Sequence, residues 1–172
     1  MSKTKEYIIR KGCHYSNFFP RILFTADYMK QGCPIEFTES CSYDIDETSC
    51  VNKLFGFCFG FGVHRNSARV GWTYNKKTGM IDLWKYVYKN KELKKVRFHS
   101  VGIGETHDFK LCIKREKSAI PSVRWSYLID FMIDGKIYEY TTLYTNCCFV
   151  TTLGPYFGGN TRAPHDIIII GK

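Results

Sequence analysis

The run Trp125-Ser126-Tyr127-Leu128-Ile129-Asp130-Phe131-Met132-Ile133-Asp134-Gly135-Lys136-Ile137-Tyr138-Glu139-Tyr140 decides the fold class. Tyr127, Ile129, Phe131 and Ile133 fall on alternate positions, the period of a strand with one buried face. Asp134-Gly135 then breaks the pattern, and Lys136 to Tyr140 resume it. Asp and Gly both tolerate the positive φ that a two-residue hairpin turn needs, so the run predicts two antiparallel strands.

The same period recurs outward from this hairpin. Val70, Trp72 and Tyr74 lead into the turn Tyr74-Asn75-Lys76-Lys77-Thr78-Gly79 and a strand from Met80 to Tyr88. That strand puts Ile81, Leu83 and Val87 on one face, interrupted by Lys85, and Trp84, Tyr86 and Tyr88 on the other. Phe109, Leu111 and Ile113 alternate with polar neighbours. Further candidates are Tyr7–Ile9, Arg21–Phe24, Ile35–Glu39, Leu54–Phe61, Lys94–Phe98, Cys147–Leu153 and Asp166–Ile170. About a dozen short strands with frequent turn signals predict an all-β chain, a sandwich or a barrel. No amphipathic helix and no linker stands out, and residues 13–20 and 40–53 read as loops. The expectation is one domain over 1–172, with residues 1–34 a candidate peripheral N-terminal extension.

Composition agrees. The 172 residues suffice for one core without staples. Aromatics make up 16%, mostly Phe and Tyr, which suit strands. No apolar run approaches a membrane span, and MSKTKEYIIRKG lacks the apolar stretch of a signal peptide. The expectation is cytoplasmic synthesis, with assembly into a larger particle such as a virion as one route out of a cell. The eight cysteines show no CxxC, so they read as mostly reduced, packed thiols, with a Cys33–Cys50 or Cys41–Cys50 bridge left open.

The net charge of +9 is uneven: eleven basic and four acidic residues lie between Lys85 and Arg124, whereas Glu36–Glu47 is acidic. A basic face suits a polyanion, whether an acidic glycan or an acidic protein surface; it also serves simply to keep an outer face wet. Nucleic acid is the less favoured partner, because no RNA-binding motif with stacking aromatics is present.

Three groups of residues carry chemical interest. In Leu54–Trp72 the glycines sit within strands, so they do not make a dinucleotide fingerprint. The cluster His64-Arg65-Asn66-Ser67, with Arg69 and Trp72, reads as a turn scaffold or as a sugar site in which the indole stacks while Asn and Arg reach hydroxyls or a carboxylate. As a lyase site, Arg65 or Asn66 would neutralise a uronate and His64 or a Tyr would act as base. In Pro155–Asp166, two prolines and Gly158-Gly159 shape a corner before the run Ile167–Ile170, expected to be covered on both faces. Asn160 and His165 are candidate ligand contacts there. Asp166 with Glu36 is a candidate Ca²⁺ pair, Ca²⁺ being the one cofactor the pattern admits. The five histidines show no metal spacing, and no paired carboxylates mark a retaining glycosidase.

The hairpin at Trp125–Lys136, the corner Pro155-Tyr156-Phe157-Gly158-Gly159-Asn160 and the entry Ala163-Pro164-His165-Asp166 together resemble the concanavalin A-like jelly rolls. That group includes lectins, laminin-G modules and polysaccharide lyases. Asn66–Trp72 with Gly158–Asp166 is also similar to small proteins of gut bacteria and their bacteriophages. The lyase signatures Arg-x-Glu-x-Arg, Gln-x-His and Tyr-x-Lys-x-Gly are absent. The resemblance implies an antiparallel β-sandwich and, first, a non-catalytic lectin-like or structural module, able to form a homo-oligomer or a bacteriophage component. Its alternative is a lyase or hydrolase acting on an acidic glycan. The two are told apart by whether a His, an Arg or Asn and a Tyr converge in one concave cleft.

Overall fold

The computed structural model describes residues 4–44 and 50–172, so part of the acidic Glu36–Glu47 stretch lies outside the described residues. Its strands in chain order are β1 (Lys5–Ile9), β2 (Ile22–Phe24), β3 (Tyr28–Phe37), β4 (Asn52–Phe59), β5 (Ser67–Asn75) and β6 (Met80–Lys89). They continue with β7 (Glu92–Val101), β8 (Thr106–Lys117), β9 (Trp125–Ile133), β10 (Lys136–Thr145), β11 (Phe149–Leu153) and β12 (Ile167–Gly171). Two antiparallel six-stranded sheets result, ordered β1-β12-β3-β8-β9-β10 and β2-β11-β4-β5-β6-β7. This is the expected concanavalin A-like jelly-roll sandwich. The one helical turn among the described residues is a 3₁₀ segment, Glu39–Cys41.

The Asp-Gly hairpin forms, with Asp134 at φ 49 and Gly135 at φ 80. A second tight turn, Asn90-Lys91, joins β6 to β7 with φ of 50 and 72, although neither residue is glycine. Inward positions of both sheets meet in one core. Phe37 on β3 lies 5.4 Å from Trp72 on β5 and 6.1 Å from Phe109 on β8, so it links the two layers. Phe59 and Tyr127 make the same link at 4.4 Å. Each such fully buried side chain contributes roughly 1.5–3 kcal/mol.

Lys85 interrupts the apolar face of β6 for a reason the alternation does not carry. It reaches the opposite sheet, where its Nζ donates to Glu139 Oε2 of β10 at 2.6 Å. The terminal strand also differs from expectation: Ile167 and Ile169 are in the core, while Ile168 and Ile170 are only half-buried, so its two faces are unequal. Residues 1–34 do not form a peripheral extension where described. β1 pairs with β12, β2 pairs with β11, and β3 spans the first sheet from β12 to β8. Cys13, Cys33, Cys41, Cys58, Cys112, Cys147 and Cys148 are free thiols, and Cys41, Cys58 and Cys112 are buried.

Candidate functional site

A cleft of about 580 Å³ opens on the outer face of the second sheet, over β4, β5 and β6. Pairing register explains its contents. Gly56 of β4, Arg69 of β5 and Tyr86 of β6 stand side by side across the sheet, and Ser67 stands beside Tyr88 one step along. These residues share the outward parity, while Val70 and Trp72 point into the core. Gly56 is required here: a Cβ would sit 2.2 Å from the Ala68 carbonyl oxygen and 2.8 Å from Arg69 Cγ. The missing side chain lets Arg69 lie across β4.

Lys53 enters through a β-bulge. The pairing shifts between Lys53 and Phe55, which lets Leu54 and Phe55 both enter the core while Lys53 stays on the outer face beside Gly71. Tyr156, in the corner before β12, bridges to Lys53 through reciprocal backbone hydrogen bonds of 2.8 and 2.9 Å. The corner is further fixed by the Gly158 N–H, which donates to Asn52 Oδ1 at 2.6 Å. Gly158 has φ 70 and no room for a Cβ, which would fall 2.0 Å from the Thr161 carbonyl oxygen.

Two basic side chains, Lys53 and Arg69, line the cleft. Lys53 is 7% exposed; its Nζ donates to the Gly158 carbonyl at 3.0 Å and sits 4.6 Å from the Tyr86 ring centre and 5.5 Å from that of Tyr156. Burial, with Arg69 nearby, lowers its pKa to about 8. Arg69 donates to the Gly154 carbonyl at 2.9 Å, lies 6.0 Å from the Tyr156 ring centre, and carries a buried Nε–H with no partner among the described residues. Burial lowers its pKa to about 10, so it remains a cation at neutral pH. Burial, then a hydrogen bond to Tyr88, pushes the Tyr86 phenol up. Burial also raises Tyr156. His64 stands edge-on to Tyr88 at 4.9 Å. Among the described lining residues there is no Asp or Glu.

The residues expected from sequence separate into two groups. His64, Arg69 and Asn160 line the cleft, while Arg65 is exposed in the turn but is not among its lining residues. Trp72 is a correction: it is 0% exposed, packed among Phe37, Tyr43 and Phe157, and cannot stack on a sugar. Asn66 is another, being buried with its Oδ1 accepting from the Asn90 N–H at 3.0 Å, which fixes the β6–β7 turn. His165 Nε2 is 2.8 Å from the Ser40 carbonyl and helps hold the corner.

Asp166 and Glu36 do not meet as a Ca²⁺ pair. Asp166 accepts from the Lys11 N–H at 2.8 Å and from Arg10 at 2.6 Å. Glu36 accepts from Lys172 at 2.7 Å and sits opposite Ile170, four residues past Asp166. No group of three or more metal-ligating side chains forms among the described residues.

The sequence reading missed Lys53, Tyr86, Tyr88 and Tyr156 as site residues. A signal existed for Lys53: it is the lone charge in Val51–Phe59, a run otherwise fit for burial. Tyr156 lies in the corner that was read only for its backbone.

No family model matches this chain, and no curated protein matches it by sequence. Solved structures do match by shape. The alginate lyase Aly36B, solved as a double mutant in complex with alginate tetrasaccharide, aligns with a TM-score of 0.67 at 15% identity, over 97% of this chain and 77% of that one. The same enzyme without mention of the saccharide aligns at 0.65 and 14%, with the same coverage. The alginate lyase vAL-1 from Chlorella virus aligns at 0.56 and 9%, over 96% and 80%. At these identities the likeness is one of fold.

Proposed function

We propose that this chain is a lyase for a uronate-containing polysaccharide, cleaving by β-elimination in the cleft built by Lys53, Arg69, Tyr86 and Tyr88. The observation that carries the reading is the lining itself: two cations, several phenols and a histidine, with no carboxylate among the described lining residues. Glycoside hydrolysis ordinarily uses two carboxylates. Elimination next to a uronate needs instead a cation for the carboxylate, a base for the C5 proton and an acid for the leaving oxygen.

Arg69 faces the uronate carboxylate and stabilises the charge that develops on it. Lys53, neutral above a pKa of about 8, takes the C5 proton. The electron pair moves through the enolate to form the C4–C5 double bond, and the C4–O bond breaks. Tyr86 or Tyr88 gives its phenolic proton to the departing oxygen. Lys53 then returns its proton by way of solvent, restoring the phenol. No oxidant, reductant or hydrolytic water enters the balance.

A lectin-like module using the same cleft is the second reading. Its support is the hydrogen bond from Lys53 to the Gly158 carbonyl, which engages the amine as a donor. Incubation with polymannuronate, polyguluronate and polyglucuronate, read by the ultraviolet absorbance of unsaturated uronate, separates the two. The lyase predicts new absorbance that drops about 100-fold or more in Arg69→Ala and in the double variant Tyr86→Phe/Tyr88→Phe. Binding without absorbance supports the module, and neither signal rejects both readings.

A further inference from the structure

The segment between β1 and β2 crosses the end of the cleft and is fastened there. The Phe157 N–H donates to the His14 carbonyl at 2.8 Å, the Ser16 N–H to the Pro155 carbonyl at 3.3 Å, and Tyr15 forms a backbone bridge with Tyr156. The His14 ring stacks on Tyr156 at 5.3 Å with 10° between planes. Tyr15 meets the same ring edge-on at 5.1 Å, yet 76% of it is exposed. Tyr156 is thus the shared neighbour of Tyr15 and of Arg69. The exposed Tyr15 ring lines the cleft together with Tyr156 and Arg69.

We propose that Tyr15 is a sugar-stacking subsite, placed to take the flat face of a pyranose ring adjoining the uronate held at Lys53 and Arg69. This rests on the reading of the cleft as an acidic-glycan site and adds to it the element that selects chain length. The physical basis is economical: the ring has only two side-chain torsions to order, its backbone is already pinned, and its apolar face is uncovered. The charged centre recognises one uronate, while the aromatic wall recognises the next residue along by shape. Short saccharides that end at the cations do not reach it.

Calorimetric titration with a uronate monosaccharide and hexasaccharides at pH 6, where the protonated Lys53 amine holds elimination down, tests this on the wild-type chain, Tyr15→Ala and Tyr15→Trp. Tyr15→Ala is expected to bind the hexasaccharide roughly five- to tenfold more weakly and the monosaccharide unchanged, with Tyr15→Trp restoring hexasaccharide affinity. Equal hexasaccharide affinity in Tyr15→Ala and wild type overturns the subsite while leaving the cleft reading intact. So does a loss of the same size for both lengths, which marks general damage to the cleft. A wild-type chain that binds neither saccharide overturns the cleft reading and this inference together.

Discussion

Lys53 shows how much one side chain's chemistry depends on where the backbone puts it. On an exposed strand its amine would stay charged far into alkaline pH; buried beside Arg69 its pKa is lowered to about 8. Two consequences follow. In the proposed elimination the neutral amine is the active form, so turnover is expected to rise as pH increases through about 8, measured as initial rate against pH. For stability the folded value lies below the ordinary 10.5, so between about 8 and 10.5 the unfolded chain binds more protons than the folded one. This group's contribution therefore makes stability rise with pH across that window, and below it the penalty for burying the charge is at its full value. Lys53→Met is expected to abolish elimination, raise stability near pH 7, and remove this window's slope. Urea unfolding at pH 7 and 9.5 checks the sign.

The turns that join the strands carry a separate test. The β6–β7 hairpin turns through Asn90 and Lys91, both at positive φ. Asn tolerates that region, whereas Lys pays about 1 kcal/mol for its Cβ. Lys91→Gly is therefore expected to stabilise the chain by about 0.5–1 kcal/mol in denaturant unfolding, with the cleft unchanged. The converse change is at Asn66, whose side chain caps this turn through the Asn90 N–H at 3.0 Å. Asn66→Ala should cost about 1–2 kcal/mol by the same measurement and leave saccharide affinity at its wild-type value. Asn66 was legible as part of a turn scaffold or of a sugar site; which turn it holds was not, because its partner lies 24 residues away on another hairpin.

Across the whole molecule, the two sheets are held by the shared apolar core and by a charged link, Lys85 to Glu139, with side chains 17% and 28% exposed. A pair this sheltered falls between the weak surface bridge and the fully buried one. A double-mutant cycle with Lys85→Met and Glu139→Gln, read by denaturant unfolding, is expected to give a coupling of about 1–2 kcal/mol. The fold itself was legible. Alternation marked twelve strands, and Asp134-Gly135 fixed one hairpin, because side-chain parity and turn chemistry are local properties of a chain. The corner at Pro155–Asn160 was legible as a corner. The site was legible only in part: His64, Arg69 and Asn160 were named, but Trp72 was credited with a surface role although its parity sends it inward. What the tertiary structure alone decided was the convergence of Lys53, Arg69, Tyr86, Tyr88 and Tyr156. They come from three neighbouring strands and a corner some hundred residues from Lys53. Register across a sheet, a bulge in β4 and a missing Cβ at Gly56 bring them together, and those are relations between distant segments that no local pattern encodes.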